Sequence, residues 1–98
     1  MLIVTGTVTA RPETITEMIR AALEHVHRSR AEPGCVSHDV GVDAGNPLRL
    51  MFLERWQDAA ALKAHFAVRE SRAFWKTLQR LAADPGEMAV YEARKIRV

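Results

Sequence analysis

Glu54, Trp56 and His65 are the residues whose types and spacing best suit chemistry. An imidazole titrates near neutrality and can take up or return a proton. An indole N–H donates a single hydrogen bond, here available to a ligand oxygen. A carboxylate two residues before the indole, on the same side of an extended strand, can orient the imidazole or act as a base itself. Buried and alone it would be costly, so it needs a partner or an opening to water. Together the three describe general acid–base work. Each also has a plainer reading: an imidazole bonded to the sheet, an indole plugging a strand end, a carboxylate in an ion pair.

The elements that must position them follow from the patterning. Leu48 to Trp56 is a strand with large apolar residues on both parities, Leu48, Leu50, Phe52 and Trp56 against Met51 and Leu53, which marks a central strand covered on two sides. Asp58 is a good N-cap, and Ala59 to Ala64 is a run of helix formers. On that helix Leu62 and His65 share a face, with Phe66 beside them. The Trp56 and His65 rings are therefore expected to open onto one dry hollow.

Leu2 to Thr9 is a β-branched strand, and Ile15, Met18, Ile19, Ala22, Leu23 and Val26 recur at helical spacing to about Arg30. Thr14 and Glu17 form an expected capping box. Cys35 to Asp43 alternates, with Val36, His38, Val40 and Val42 on an apolar face, as an edge strand does. The turn Ala44–Pro47 makes a hairpin into the next strand. A second helical piece, capped by Ser71 and striped with Phe74, Leu78 and Leu81, precedes a last strand from Glu87 to Arg97. Strand, helix, strand, strand, helix pair, strand is the split βαβ, ferredoxin-like α+β arrangement: a four-stranded antiparallel sheet with helices on one face. The first and third strands are expected in the centre.

Ninety-eight residues form one domain, 1–98, with ordinary globular proportions of 48% hydrophobic and 27% charged residues. Net charge is only +2 and the cations are interleaved with acids, so a nucleic-acid partner is not expected. The N-terminal apolar run is too short for a signal peptide or membrane span. One cysteine, Cys35, cannot close an internal disulfide and fits the cytoplasm; it reads as a small buried hydrophobe at a strand start. His25 and His27, two apart on a helix, point in different directions and read as surface residues. No Cys-x-x-Cys or His-x-x-x-His motif occurs, and no metal is expected. There is no Gly-rich phosphate loop or Gly-x-Ser-x-Gly.

The pattern Glu54-x-Trp56-x-Asp58-x-x-x-Leu62-x-x-His65, preceded by Glu32-Pro33-Gly34-Cys35, resembles the antibiotic biosynthesis monooxygenase domain, which includes the small quinol monooxygenases. The resemblance covers roughly residues 2 to 92. It implies a homodimer whose two sheets close into a dimeric α+β barrel, which would cover Met51 and Leu53. It also implies oxygenation of a small reduced aromatic by O2 with no metal, haem, flavin or other cofactor, with His65 accepting a proton and Trp56 and Glu54 completing the catalytic set. His38, Phe52, Leu62, Phe66 and Phe74 would contact the substrate. Three departures narrow the implication. Many relatives carry a tyrosine at His38, and Arg69-Glu70-Ser71 stands where the family often has Pro-His-Phe. Phe52 replaces the asparagine of the anthrone oxygenases. The haem-degrading branch needs an asparagine on the first strand and a histidine on the last helix, and neither is present.

The expected function is a cofactor-independent monooxygenase acting on a quinol or phenol-like substrate. Two alternatives stay open: a dimeric ligand-binding module without turnover, and an isomerase or lactone-handling enzyme of the same barrel type.

Overall fold

The computed structural model describes residues 1–98. Four strands, β1 (Leu2–Thr9), β2 (Cys35–Asp43), β3 (Asn46–Trp56) and β4 (Glu87–Glu92), form one antiparallel sheet in the order β2-β3-β1-β4. The helices are α1 (Ile15–Ser29), α2 (Ala59–Ala67) and α3 (Arg69–Leu81). The apolar strands β1 and β3 take the centre, as their composition requires. The helices cover one face, where Val4, Val8, Leu50, Glu54 and Trp56 are buried; Met51, Leu53 and Tyr91 on the other face stay about half exposed.

Two apolar clusters fill the covered layer. The larger joins Val8, Met18, Ala22, Leu50, Phe74, Leu78 and Leu81; the smaller joins Val4, Trp56 and Leu62. Between them lies a polar layer. The His25 ring stacks on Phe74 at 4.1 Å on one side, and the His65 ring tilts against Trp56 at 4.6 Å on the other.

Several local expectations are corrected. The Thr14 hydroxyl makes no helix cap; it accepts from the Arg11 N–H at 3.0 Å and donates to the Leu81 carbonyl at 2.7 Å, fastening the start of α1 to the end of α3. Glu17 pairs with Arg80 instead. Asp58 does cap α2, accepting from the Ala61 N–H at 2.9 Å. Ser71 is not a cap: α3 begins at Arg69, directly after an extended Val68, which turns the Ser71 hydroxyl inward. A bulge between Cys35 and Ser37 breaks the alternation of β2, so Val36 is exposed while Cys35 packs behind Trp56. The hairpin into β3 is tighter than expected, because Asn46 already pairs with Asp43. β4 ends at Glu92 because β1, its only neighbour, begins at Leu2.

Gly34 fixes the approach of the β2 entry loop to α2. Its φ is +81°, and a Cβ there would collide with the Ala61 side chain. That contact holds Glu32 against His65.

Candidate functional site

Glu54 stands at the centre of the polar layer. Its Oε1 accepts the Trp56 indole N–H at 2.9 Å and lies 3.2 Å from Nε2 of His38 and 3.8 Å from Nε2 of His65. β2 pairs His38 directly opposite Glu54, and α2 lays His65 over the end of β3. Burial alone would raise the Glu54 carboxyl. The His38 imidazole, the Trp56 N–H and His65 outweigh it and hold the group below its ordinary value.

His65 is 2% exposed. Its Nδ1 lies 2.9 Å from Glu32 Oε1, so the N–H donates to the carboxylate and the Nε2 lone pair points toward Glu54. Ser71 Oγ lies 3.5 Å from the same Nδ1 and accepts from Arg28 at 3.3 Å. Arg28 also donates to Nδ1 of His25 at 2.8 Å, which makes that nitrogen an acceptor and leaves His25 neutral. Burial, then His38, His65 and Arg28, push the His25 pKa down to about 3.

A recess of about 30 Å3 is lined by His25, His65, Glu54, Phe52 and Phe74 among others. That is room for a molecule or two the size of water or O2. It shares Gly6, Phe52, Trp75, Leu78 and Met88 with a groove of about 430 Å3 between α3 and the β1–β4 edge. The groove is within the size range of small-molecule sites, on the order of 300–1,000 Å3.

Of the expected site residues, His65, Glu54, Phe52 and Phe74 meet on the recess wall, with His38 directly behind Glu54. Trp56 does not. It is wholly buried, its N–H is taken by Glu54, and it is not among the residues that line the recess. The expected shared hollow of Trp56 and His65 is thus corrected: the rings pack against each other. Leu62 and Phe66 belong to the small apolar cluster behind Trp56. His25 is buried rather than at the surface, 4% exposed. The Cys35 thiol is pushed up by burial and by Glu32 and Glu54, which keeps it protonated.

Sequence spacing failed to assign Glu32, Arg28, His25 and Ser71 to the site. For the last two a signal existed. His25 and Ser29 extend the buried stripe Met18, Ala22, Val26 at helical intervals, and Ser71 heads the stripe of Phe74, Leu78 and Leu81.

By architecture the chain is a ferredoxin-like α+β protein with an imidazole–carboxylate centre between sheet and helices. It belongs to the antibiotic biosynthesis monooxygenase family, whose model matches residues 1–77. An uncharacterised protein of Synechocystis, sll1783, is 30% identical over 91 residues, covering 93% of this chain; the chain spans 62% of that relative's length. YcnE of Bacillus subtilis, a candidate monooxygenase, is 32% identical over 65 residues, 66% of this chain and 68% of YcnE. Among solved structures, an antibiotic biosynthesis monooxygenase superposes with a TM-score of 0.89 at 28% identity, over 97% of this chain and 100% of the other. A Deinococcus radiodurans protein gives 0.94 at 24% identity, over 100% and 97%, a likeness of fold. No helix is long and apolar enough to cross a membrane.

Proposed function

We propose that the protein is a cofactor-independent monooxygenase of a small reduced aromatic, a quinol or phenol-like compound. One observation carries this reading. His65 is held at Nδ1 by Glu32 and lines, with Glu54, a recess too small for an aromatic ring but opening beside a groove that can take one. The ring lies in the groove against Phe52 and Trp75, with one hydroxyl directed at His65.

His65 Nε2 takes the hydroxyl proton. The resulting anion gives one electron to O2 in the recess, and the radical and superoxide combine at a ring carbon as a peroxide anion. His65 returns the proton, and loss of water from the hydroperoxide leaves a carbonyl. One O2 thus becomes one carbonyl oxygen and one water, and all electrons come from the substrate. The protein supplies a base, orientation and exclusion of water.

The test is O2 uptake by purified protein with reduced menadione and a panel of quinols and anthrones. Turnover above autoxidation is expected. Rates equal to autoxidation throughout overturn the reading, and saturable binding of those compounds without turnover would identify a binding module.

The proposal includes a homodimer. Met51, Leu53 and Tyr91 form an apolar patch on a sheet face that no helix covers. Met51 and Leu53 are already half covered, so completing their burial contributes about 1.5–3 kcal/mol per copy. A free Cys35 that stays protonated suits the reducing cytoplasm.

A further inference from the structure

His38 is wholly buried, yet neither of its ring nitrogens has a hydrogen-bond partner. Its Nε2 lies 3.2 Å from Glu54 Oε1, an ion-pair contact that holds the carboxyl low without meeting full hydrogen-bond geometry. A buried polar group left in this way costs about 1–3 kcal/mol. An ion that accepts the Nε2 lone pair would remove the share of that cost that falls on Nε2.

We propose that His38, His65 and Glu54 form a binding site for one divalent first-row transition-metal ion of the zinc–iron class. Ligand atoms about 2.0–2.1 Å from a tetrahedral ion stand about 3.3 Å apart. Glu54 Oε1 is 3.2 Å from His38 Nε2 and 3.8 Å from His65 Nε2, and the ligating atoms of His25, His38 and His65 all lie within 4.8 Å of one another. The donors therefore reach an ion by small side-chain shifts. Two imidazoles and one carboxylate suit Zn2+, Co2+ and Fe2+ rather than Ca2+ or Mg2+.

The surrounding contacts are those that tune a metal ligand. Glu32 holds the His65 Nδ1–H, which fixes the tautomer with Nε2 free, and Trp56 donates to the Glu54 carboxylate. His25 is not a ligand here, because Arg28 donates to its Nδ1 and its proton therefore sits on Nε2. Glu54 and Glu32 bring two negative charges to the ion against one from the Arg28 guanidinium. Since Glu54 and His65 both line the recess, its water-sized space supplies an open coordination position.

The site does not rest on the oxygenase reading, and the two compete for one lone pair. An ion on His65 Nε2 prevents that nitrogen from taking a substrate proton, so bound Zn2+ suppresses metal-free turnover.

The test is a Co2+ titration of EDTA-stripped, tag-free protein without substrate, followed by visible ligand-field absorption. One Co2+ per chain, displaced by Zn2+, is expected. His38→Ala and Glu54→Gln should each weaken binding at least about tenfold, and Glu32→Gln about 10–100-fold. His27→Ala, on the exposed side of α1, should leave it unchanged. Circular dichroism without metal establishes folding, and Glu32→Gln, which keeps every ligand, decides the matter if His38→Ala does not fold. Absence of saturable Co2+ binding, binding that survives Glu32→Gln undiminished, or binding that is lost with His27→Ala overturns the proposal. Quinol turnover is read separately, so either reading can fail without the other.

Discussion

The carboxylate of Glu32 reaches 33 residues along the chain to hold Nδ1 of His65 at 2.9 Å. This contact sets which nitrogen of the imidazole faces the recess, and it depends on Gly34 letting the loop close on α2. Glu32 is a positioning residue on this account. Glu32→Gln should lower kcat for quinol oxidation at least about tenfold while leaving KM nearly unchanged, because the groove is untouched. Glu32→Asp should recover part of the loss. Steady-state O2 uptake checks both, and a change confined to KM would contradict the role.

His65→Ala removes the proposed base itself. Turnover should fall at least about tenfold, the low end of general-base effects. An oxygen electrode measures this against a wild-type control, and wild-type rates in the variant would remove His65 from the chemistry.

Gly6 lines both the recess and the groove, and a Cβ placed on it meets its neighbours at ordinary distances, 3.6 Å from Glu87 O and 3.8 Å from Phe52 Cβ. Gly6→Ala should therefore fold, gaining about 0.5–1 kcal/mol from reduced backbone freedom. The added side chain enters the passage between groove and recess. kcat/KM should drop about tenfold or more, the scale of one added methyl group in a pocket. Urea denaturation with kinetics on the same sample separates the two effects.

Most of the scaffold was legible because its signals are local. The double-sided apolar pattern of β3 and the β-branched β1 announced central strands, and Asp58 announced α2. The polar centre was harder, since its contacts join residues remote in sequence: Glu32 to His65, Glu54 to His38. His25 illustrates the limit. Its position fits the buried stripe of α1, but imidazole is a polar type, and only Arg28 and the Phe74 ring make its burial tolerable. Trp56 failed differently: its own strand neighbour Glu54 occupies the N–H expected to serve a ligand.

Leu53 sits mid-strand on the bare sheet face, 47% exposed. Leu53→Glu should leave the covered layer intact and shift the proposed dimer to monomer, because two charges would be brought into one apolar contact. Light scattering at micromolar concentration distinguishes the species. A wild-type monomer under those conditions would contradict the assembly.

Acid should weaken the fold through the same polar layer. His25 has a folded pKa of about 3 against an ordinary 6.5. Between those values the unfolded chain binds one more proton than the folded chain, so stability rises with pH and falls on acidification, by up to about 1.4 kcal/mol per pH unit. Glu54 is depressed below 4.5, so its contribution is present above that pH and is lost as pH falls through its folded value. Urea unfolding in EDTA at several pH values from 7 to 4 should show a decline beginning near pH 6.5. His25→Phe, which preserves the stack on Phe74, should flatten the slope between pH 6.5 and 4.5 and leave only the Glu54 loss below it. An unchanged slope in that variant would assign the acid sensitivity to another group.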